Sequence, residues 1–291
     1  MTVIERVAQR FGLGRLIADP VRVPGGLSNE LWRLVTQDGV FAVKRMVVNA
    51  DRPDFIDNVE GAFEVERRAG AAGVPMPPPV AVPGTGRALA EVDGSLFRVH
   101  RWVDGQPVVG SAQEAAGLVA GIHAVGDPRW EVLPSAGWTA DRWGEDLAEL
   151  ARRVGSGPER VLVVDSHRDL DRKNTLRSAD GVLMALDWDA AGPVSAVQEA
   201  VSVALDWSDD DPTVFAEAVR RYGQQSGARV PAQPWVFAGW VAAQGGWLDY
   251  NATHRGDSAV GTAEVAGTLT RLRKLAASLD TMLAGMAFDV R

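Results

Sequence analysis

An aspartate stands five residues before an asparagine in Ser166-His167-Arg168-Asp169-Leu170-Asp171-Arg172-Lys173-Asn174, and another aspartate, Asp187, follows thirteen residues after that asparagine. Residues 182–186 between them read as a strand that ends at Asp187. Magnesium takes one or two hard oxygen ligands from a protein and keeps water or phosphate oxygens for the rest. One amide oxygen and one carboxylate on adjacent loops meet that need. Phosphoryl transfer from a nucleoside triphosphate is mostly a matter of positioning and charge neutralisation. On this reading Asp169 is the base or hydroxyl-orienting group, and Asn174 and Asp187 are magnesium ligands. His167 holds the loop through its ring nitrogens, and Lys173 is near enough to contact phosphate. A lone His-Arg-Asp reads first as a turn, because Asp and Asn side chains bond nearby backbone. The Asp-to-Asn step, the hairpin between and the strand-end aspartate together single out the catalytic reading.

A second set lies far upstream. Pro24-Gly25-Gly26-Leu27-Ser28-Asn29 falls between two β-type runs. Glycines there let backbone N–H groups approach phosphate oxygens, and Ser28 and Asn29 can add side-chain donors. A plain glycine turn is the alternative. Phe41-Ala42-Val43-Lys44 then ends a strand on a lysine, the arrangement in which a lysine clamps the α- and β-phosphates and pairs with a helix glutamate. Glu60, Glu64 and Glu66 all lie on the following helix. Glu64 fits best by its distance from the helix end, and the other two stay open.

Those residues need a frame. Residues 31–36 and 40–46 flank Gln37-Asp38-Gly39, and residues 87–91 and 95–103 flank Val92-Asp93-Gly94; Asp-Gly between alternating apolar runs signals a hairpin. Residues 55–72 read as a helix, ended by Pro75, Pro77, Pro78 and Pro79. After Gly105 the pattern turns helical, at 112–124, at 142–154 and from 213 onward. Sheet first and helices later argue for an α+β chain of two lobes. The N-terminal lobe is expected over 1–103, with a hinge near 100–105, and the helical lobe over 104–291.

Composition bounds the rest. The 291 residues include no cysteine, which excludes disulfides, thiolate catalysis and cysteine-held metals. No apolar run approaches the length of about 18 residues needed to span a bilayer, and the first residues carry no signal-like apolar core. The chain therefore reads as cytoplasmic and soluble, with no membrane partner. A formal charge of −8 and the lack of a basic stripe argue against nucleic acid.

Together these residues resemble the aminoglycoside phosphotransferase and choline kinase-like family, a branch of the protein-kinase-like fold. The matching stretches are PGGLSNELWRL, FAVK, AAGVPMPPPV, HRWVDGQPV, HRDLDRKN and LDWDAAGP. The resemblance implies ATP, or GTP, with Mg2+, and a small-molecule acceptor held by the helical lobe of a monomer or homodimer. It also implies a hinge at His100, Arg101, Trp102 and Val103 that offers backbone groups to the purine. Two departures stand out. Arg168 occupies a position where the family usually has glycine, and Glu199 one where it commonly has aspartate. Asp187 is followed by Trp188-Asp189 rather than Phe-Gly, and no Ala-Pro-Glu segment appears, which argues against a protein kinase.

On the acceptor side, Asp206, Asp209 and Asp210 lie close in sequence, and with Asp189 and Glu199 they are the candidate acceptor contacts. Carboxylates there would attract a polycation such as an aminoglycoside; the same acids also read as a turn and a helix N-terminus. The leading expectation is ATP-dependent phosphorylation of a hydroxyl on a small cationic molecule, an aminoglycoside-type antibiotic first, with a role in antibiotic resistance; a kinase for choline, an amino sugar or homoserine, and a catalytically silent nucleotide-binding protein, are the competing expectations. Tryptophans 188, 207, 235, 240 and 247 read mainly as core, with sugar stacking as the alternative.

Overall fold

The computed structural model describes residues 1–24, 29–107, 110–133 and 138–287. Contacts divide the chain into two compact units. The first holds Met1–Val108, His167–Asp169 and Lys173–Gly192; the second holds Val109–Ser166, Leu170–Arg172 and Pro193–Arg291. Two segments that the sequence assigns to the helical lobe, 167–169 and 173–192, thus make their contacts within the first unit.

The first unit opens with helix α1 (Val3–Arg10), which the sequence reading did not anticipate. Thr2 and Glu5 close a capping box at its start, each satisfying a backbone N–H of the other. Strands β1 (Val21–Val23), β2 (Asn29–Thr36) and β3 (Gly39–Met46) follow, then helix α2 (Phe55–Ala71). Strands β4 (Pro79–Val80), β5 (Ala90–Val92) and β6 (Ser95–Arg101) complete an antiparallel sheet in the order β1-β2-β3-β6-β4, with β5 also on β6. Both expected hairpins are present. In the second, Asp93 and Gly94 hold φ of 51° and 71°, the paired positive values of a tight two-residue turn.

Alternation along the strands divides the sheet's two faces. Phe41, Val43, Phe97 and Val99 pack with Val7, Phe11 and Leu34 on one side. Met46 packs with Val59 of α2 and Leu89 on the other, which is also the side of Lys44, Arg98 and His100. A smaller sheet runs β11-β10-β7, from β7 (Gly105–Pro107), β10 (Thr175–Ser178) and β11 (Leu183–Ala185). Gly105 faces β10 so closely that a Cβ would sit 2.4 Å from the Arg177 carbonyl oxygen.

The second unit is largely helical. Helix α3 (Ala112–His123) precedes strand β8 (Arg129–Val132), helix α4 (Glu145–Gly155) and strand β9 (Arg160–Ser166). Strand β12 (Gly192–Ser195) joins β9 and β8 in the order β12-β9-β8 and leads into α5 (Ala196–Trp207). Helices α6 (Pro212–Ser226), α7 (Ala238–His254) and α8 (Ala259–Met286) follow. Trp207, Phe215, Tyr222, Phe237, Leu248, Leu272 and Leu279 are buried. Trp207, Trp235 and Trp240 are core residues here, as Trp188 is in the first unit, whereas Trp247 is exposed. Among the described residues no helix is long and apolar enough to cross a membrane.

Glu199, expected as an acceptor contact, proves instead to be a buried structural residue. It lies buried on α5 and shares a hydrogen bond of 2.7 Å with His123 Nε2 on α3. His123 Nδ1 in turn lies 2.8 Å from the Tyr222 hydroxyl on α6. A carboxylate taken out of water needs such a partner, so Glu199 ties three helices together. His123 is the centre of that tie.

Two outcomes follow from this packing. Gly105→Ala should lower stability by about 1–3 kcal/mol, the usual range for forced overpacking, read as a drop in the urea or thermal midpoint; an unchanged midpoint would mean that β7 yields without cost. Burial, with the nearby Glu199 carboxylate, pushes the Tyr222 phenol up to about 12 from its ordinary 10. The unfolded chain therefore ionises first, so this contribution is complete below pH 10 and is lost as pH rises to about 12. The loss should be roughly 2–3 kcal/mol, measured by denaturation across that window, and Tyr222→Phe should make the slope shallower by that amount.

Candidate active site

Lys44 lies within β3, two residues before its end at Met46, and the loop after β11 turns at Asp187. Asp187 holds φ 59° and ψ 63°, a left-handed conformation that aspartate tolerates better than most residues. The turn aims both acids of Asp187-Trp188-Asp189 at one ammonium. Lys44 Nζ donates to Asp187 Oδ1 at 2.6 Å and to Asp189 Oδ2. Asp189 gives its other oxygen to Arg98, whose second nitrogen reaches Glu66 on α2. Glu66 Oε1 lies 2.9 Å from His100 Nε2. The chain of contacts therefore runs Asp187, Lys44, Asp189, Arg98, Glu66, His100, all within the first unit.

Lys44 and Arg98 are register partners on β3 and β6. Like charges directly opposite each other are destabilising, and Asp189 between them removes the conflict. Burial by itself would favour a neutral Asp189, but Lys44 and Arg98 outweigh it and hold the carboxyl well below the ordinary range. The converse applies to Lys44. Burial would lower it, and Asp189 and Asp187 raise it. All three groups are therefore charged at neutral pH.

This network corrects the choice of glutamate. Glu64 is 62% exposed and pairs with Arg67 one turn along the same helix. Glu60 accepts from Arg87 and from the backbone of Ala88 and Leu89, fixing that loop. Glu66 is the glutamate on the sheet side of α2, and it meets Lys44 only through Arg98 and Asp189. Asp189, expected on the acceptor side, belongs to the same network. Arg98 was not singled out in the sequence. Its signal is the alternation in Phe97-Arg98-Val99-His100, which puts two basic residues on one face of a strand.

The loop at 167–174 is fastened from several sides. His167 is fully buried; its Nδ1 accepts from Asp169 N–H, so its Nε2 donates to the Leu186 carbonyl at 2.6 Å. Its ring edge also meets Trp188, with centroids 4.8 Å apart. Arg168 carries φ of 67°, a conformation glycine adopts without steric cost, which is why glycine suits this position in the family it resembles. Asn174 Nδ2 donates to the Asp169 carboxylate at 2.7 Å and to its carbonyl at 2.9 Å. Leu186 N–H donates to the Asn174 carbonyl at 2.8 Å, bringing the residue before Asp187 to Asn174. With its nitrogen committed to Asp169, the Asn174 side chain has its oxygen as the end suited to a metal. Lys173 Nζ stands 3.9 Å from Asp169.

Gly25, Gly26 and Ser28 lie outside the described residues. Asn29 is at the start of β2, where its Oδ1 accepts from Val47 N–H at 3.0 Å. Of the expected hinge, His100 is inside β6, paired with Ala42 and Pro79. The Arg101 and Trp102 N–H groups already donate to Pro78 and Val40 carbonyls. Among the described residues the Val103 N–H donates to no backbone carbonyl. In the second unit, Asp209 is held by Arg172 and Asp210 by Lys274, the latter at 2.6 Å. Asp206 accepts from Trp240 Nε1 at 2.8 Å. None of the three is an open charge.

Similarity to known proteins agrees with this geometry. No curated protein matches the chain by sequence. A choline/ethanolamine kinase family protein from Mesorhizobium loti has 16% identity and a TM-score of 0.67, over 98% of this chain and 99% of that one. An aminoglycoside phosphotransferase from Alicyclobacillus acidocaldarius has 14% identity and a TM-score of 0.58, over 95% and 96%. A spectinomycin phosphotransferase solved with ADP and spectinomycin has 9% identity and a TM-score of 0.66, over 96% and 97%. These likenesses show the kinase-like phosphotransferase fold. Residues 20–235, most of the chain, match the phosphotransferase enzyme family, and the protein belongs to it as an enzyme of the small-molecule kinase kind.

Proposed function

We propose that the chain transfers the γ-phosphoryl group of ATP to a hydroxyl of a small molecule, with Mg2+. The observation that supports it best is the meeting, inside one unit, of Lys44 with Asp187 and Asp189, and of Asn174 with Asp169. The donor set suits magnesium. Asn174 and Asp187 offer hard oxygens, and among the described residues no three His, Asp or Glu side chains gather to hold a metal unaided. A metal that completes its shell with phosphate oxygens and water fits such a site.

Asp169 accepts the hydrogen bond of the acceptor hydroxyl and takes its proton as the oxygen bonds to the γ-phosphorus. The bond from that phosphorus to the bridging oxygen breaks, and ADP leaves. Asn174 keeps the Asp169 carboxylate aimed, and His167 keeps the loop in place. Lys44 holds the α- and β-phosphates, exchanging Asp187 for them. Asn174 and Asp187 would hold the magnesium, which neutralises charge on the phosphates. Val103 N–H is the backbone group offered to the purine. A cytoplasmic setting suits an ATP-dependent enzyme.

The acceptor reading shifts with the ion pairs. Asp209 and Asp210 supplied the sequence argument for an aminoglycoside, and both are neutralised inside the chain by Arg172 and Lys274. A small hydroxylated metabolite with few charges, such as an amino alcohol, becomes the first reading. An aminoglycoside, with a role in antibiotic resistance, becomes the second.

A coupled ADP-release assay over amino alcohols, amino sugars, homoserine and aminoglycosides decides between them. Turnover confined to aminoglycosides would reverse the order, and nucleotide binding without transfer to any acceptor would leave a silent binding protein. Asp169→Ala should lower kcat by about 10²–10⁴-fold, the range for a lost general base, while ATP still binds; near-normal turnover would exclude Asp169 from the chemistry. Asp187→Ala should instead weaken Mg-ATP binding, seen as a raised KM for ATP that added magnesium partly restores.

A further inference from the structure

Arg98 is among the largest fully buried side chains of the protein. Its guanidinium joins Glu66 of α2 to Asp189 beyond β11, with the Phe63 ring 5.8 Å from its centre. Neutralising Glu66 would occupy one end of the fork. The other end is spent on Asp189, whose remaining oxygen anchors Lys44. Counted together, the cations Lys44 and Arg98 face three carboxylates, Asp187, Asp189 and Glu66. A guanidinium can grip two carboxylates at once in fixed geometry, and an ammonium on a flexible stem cannot.

We propose that Arg98 is a positioning residue for phosphoryl transfer: by fixing Asp189 it sets where the Lys44 ammonium stands when the nucleotide arrives. The inference rests on reading Lys44 as the phosphate clamp. The two carboxylates on Lys44 differ. Asp187 is 42% exposed, and it is the one a metal would claim; Asp189 is 19% exposed and held from behind by Arg98. Lys44 can release Asp187 to the metal and turn to the phosphates while Asp189 still tethers it. Without Arg98, Asp189 has Lys44 as its one strong cation and moves with it, so the tether loses its fixed point. The helix glutamate then acts on the lysine through two intermediates rather than by direct contact.

The test compares Mg-ADP affinity by calorimetry, and KM for ATP and for the acceptor, across four proteins. These are wild type, Arg98→Lys, Asp189→Asn and the double variant Arg98→Met/Glu66→Leu, each assayed well below its measured thermal midpoint. Arg98→Lys keeps the charge and is the variant best able to fold. We expect nucleotide affinity to fall tenfold or more in Arg98→Lys and in Asp189→Asn, with the acceptor KM unchanged. The double variant removes the orphaned glutamate and so recovers stability, but its nucleotide affinity should stay low. Full recovery of nucleotide affinity in the double variant, or unchanged affinity in folded Arg98→Lys, would overturn the inference and leave Arg98 as a neutraliser of Glu66. A wild-type protein that binds no nucleotide would instead defeat the phosphotransferase reading of the site, and the inference with it.

Discussion

Two cations set side by side on neighbouring strands repel each other unless an anion is held between them. Lys44 and Arg98 are in that position on β3 and β6, and Asp189 is the anion. Burial makes each member expensive alone and strongly attractive together. The pull of the two cations on Asp189 exceeds its own desolvation, so the carboxyl stays ionised. Because Arg98 also takes Glu66, the arrangement extends to α2, and because Lys44 also takes Asp187, it extends to the turn after β11. The local geometry of β3, β6, α2 and the turn at Asp187 is thus tied to one cluster of opposed charges.

The loop carrying Asp169 obeys a different constraint, that of backbone conformation. Arg168 lies in the left-handed region, which costs a non-glycine residue of the order of 1–2 kcal/mol, and Asp187 does the same. Such positions persist where surrounding contacts over-determine them. His167 supplies much of that constraint by bonding both Asp169 N–H and the Leu186 carbonyl.

In the helical unit, acidity proves to be structural. Glu199 joins α5 to α3 through His123, Asp209 and Asp210 are paired with Arg172 and Lys274, and Asp211 caps α6 by accepting from Thr213 and Val214 N–H groups. A net charge of −8 therefore says little about what the protein binds. Charges count toward a ligand where they lack an internal partner, and partners are not visible in composition.

Elements governed by neighbours in sequence were legible. The Asp93-Gly94 turn, the α2 span and the aspartate-to-asparagine step of the loop depend on local backbone preference and short spacing. Helix α1 was equally local, announced by Thr2 and Glu5, and was missed because its apolar stripe is brief. Whether Glu64 or Glu66 faces the sheet was not legible, because both sit on one helix and packing alone fixes its rotation. Nor was the role of Arg98. The alternation around it shows only that Arg98 and His100 share a face; the register of β6 against β3 decides that Lys44 is their neighbour. The amino-acid order thus determined the kinds of groups available for chemistry and the turns that carry them. Tertiary structure alone decided which charges meet, because contacts such as Lys44 to Asp187, 143 residues apart, and Arg98 to Asp189, 91 apart, depend on how the sheet, α2 and the loop after β11 pack, which no short window of sequence encodes.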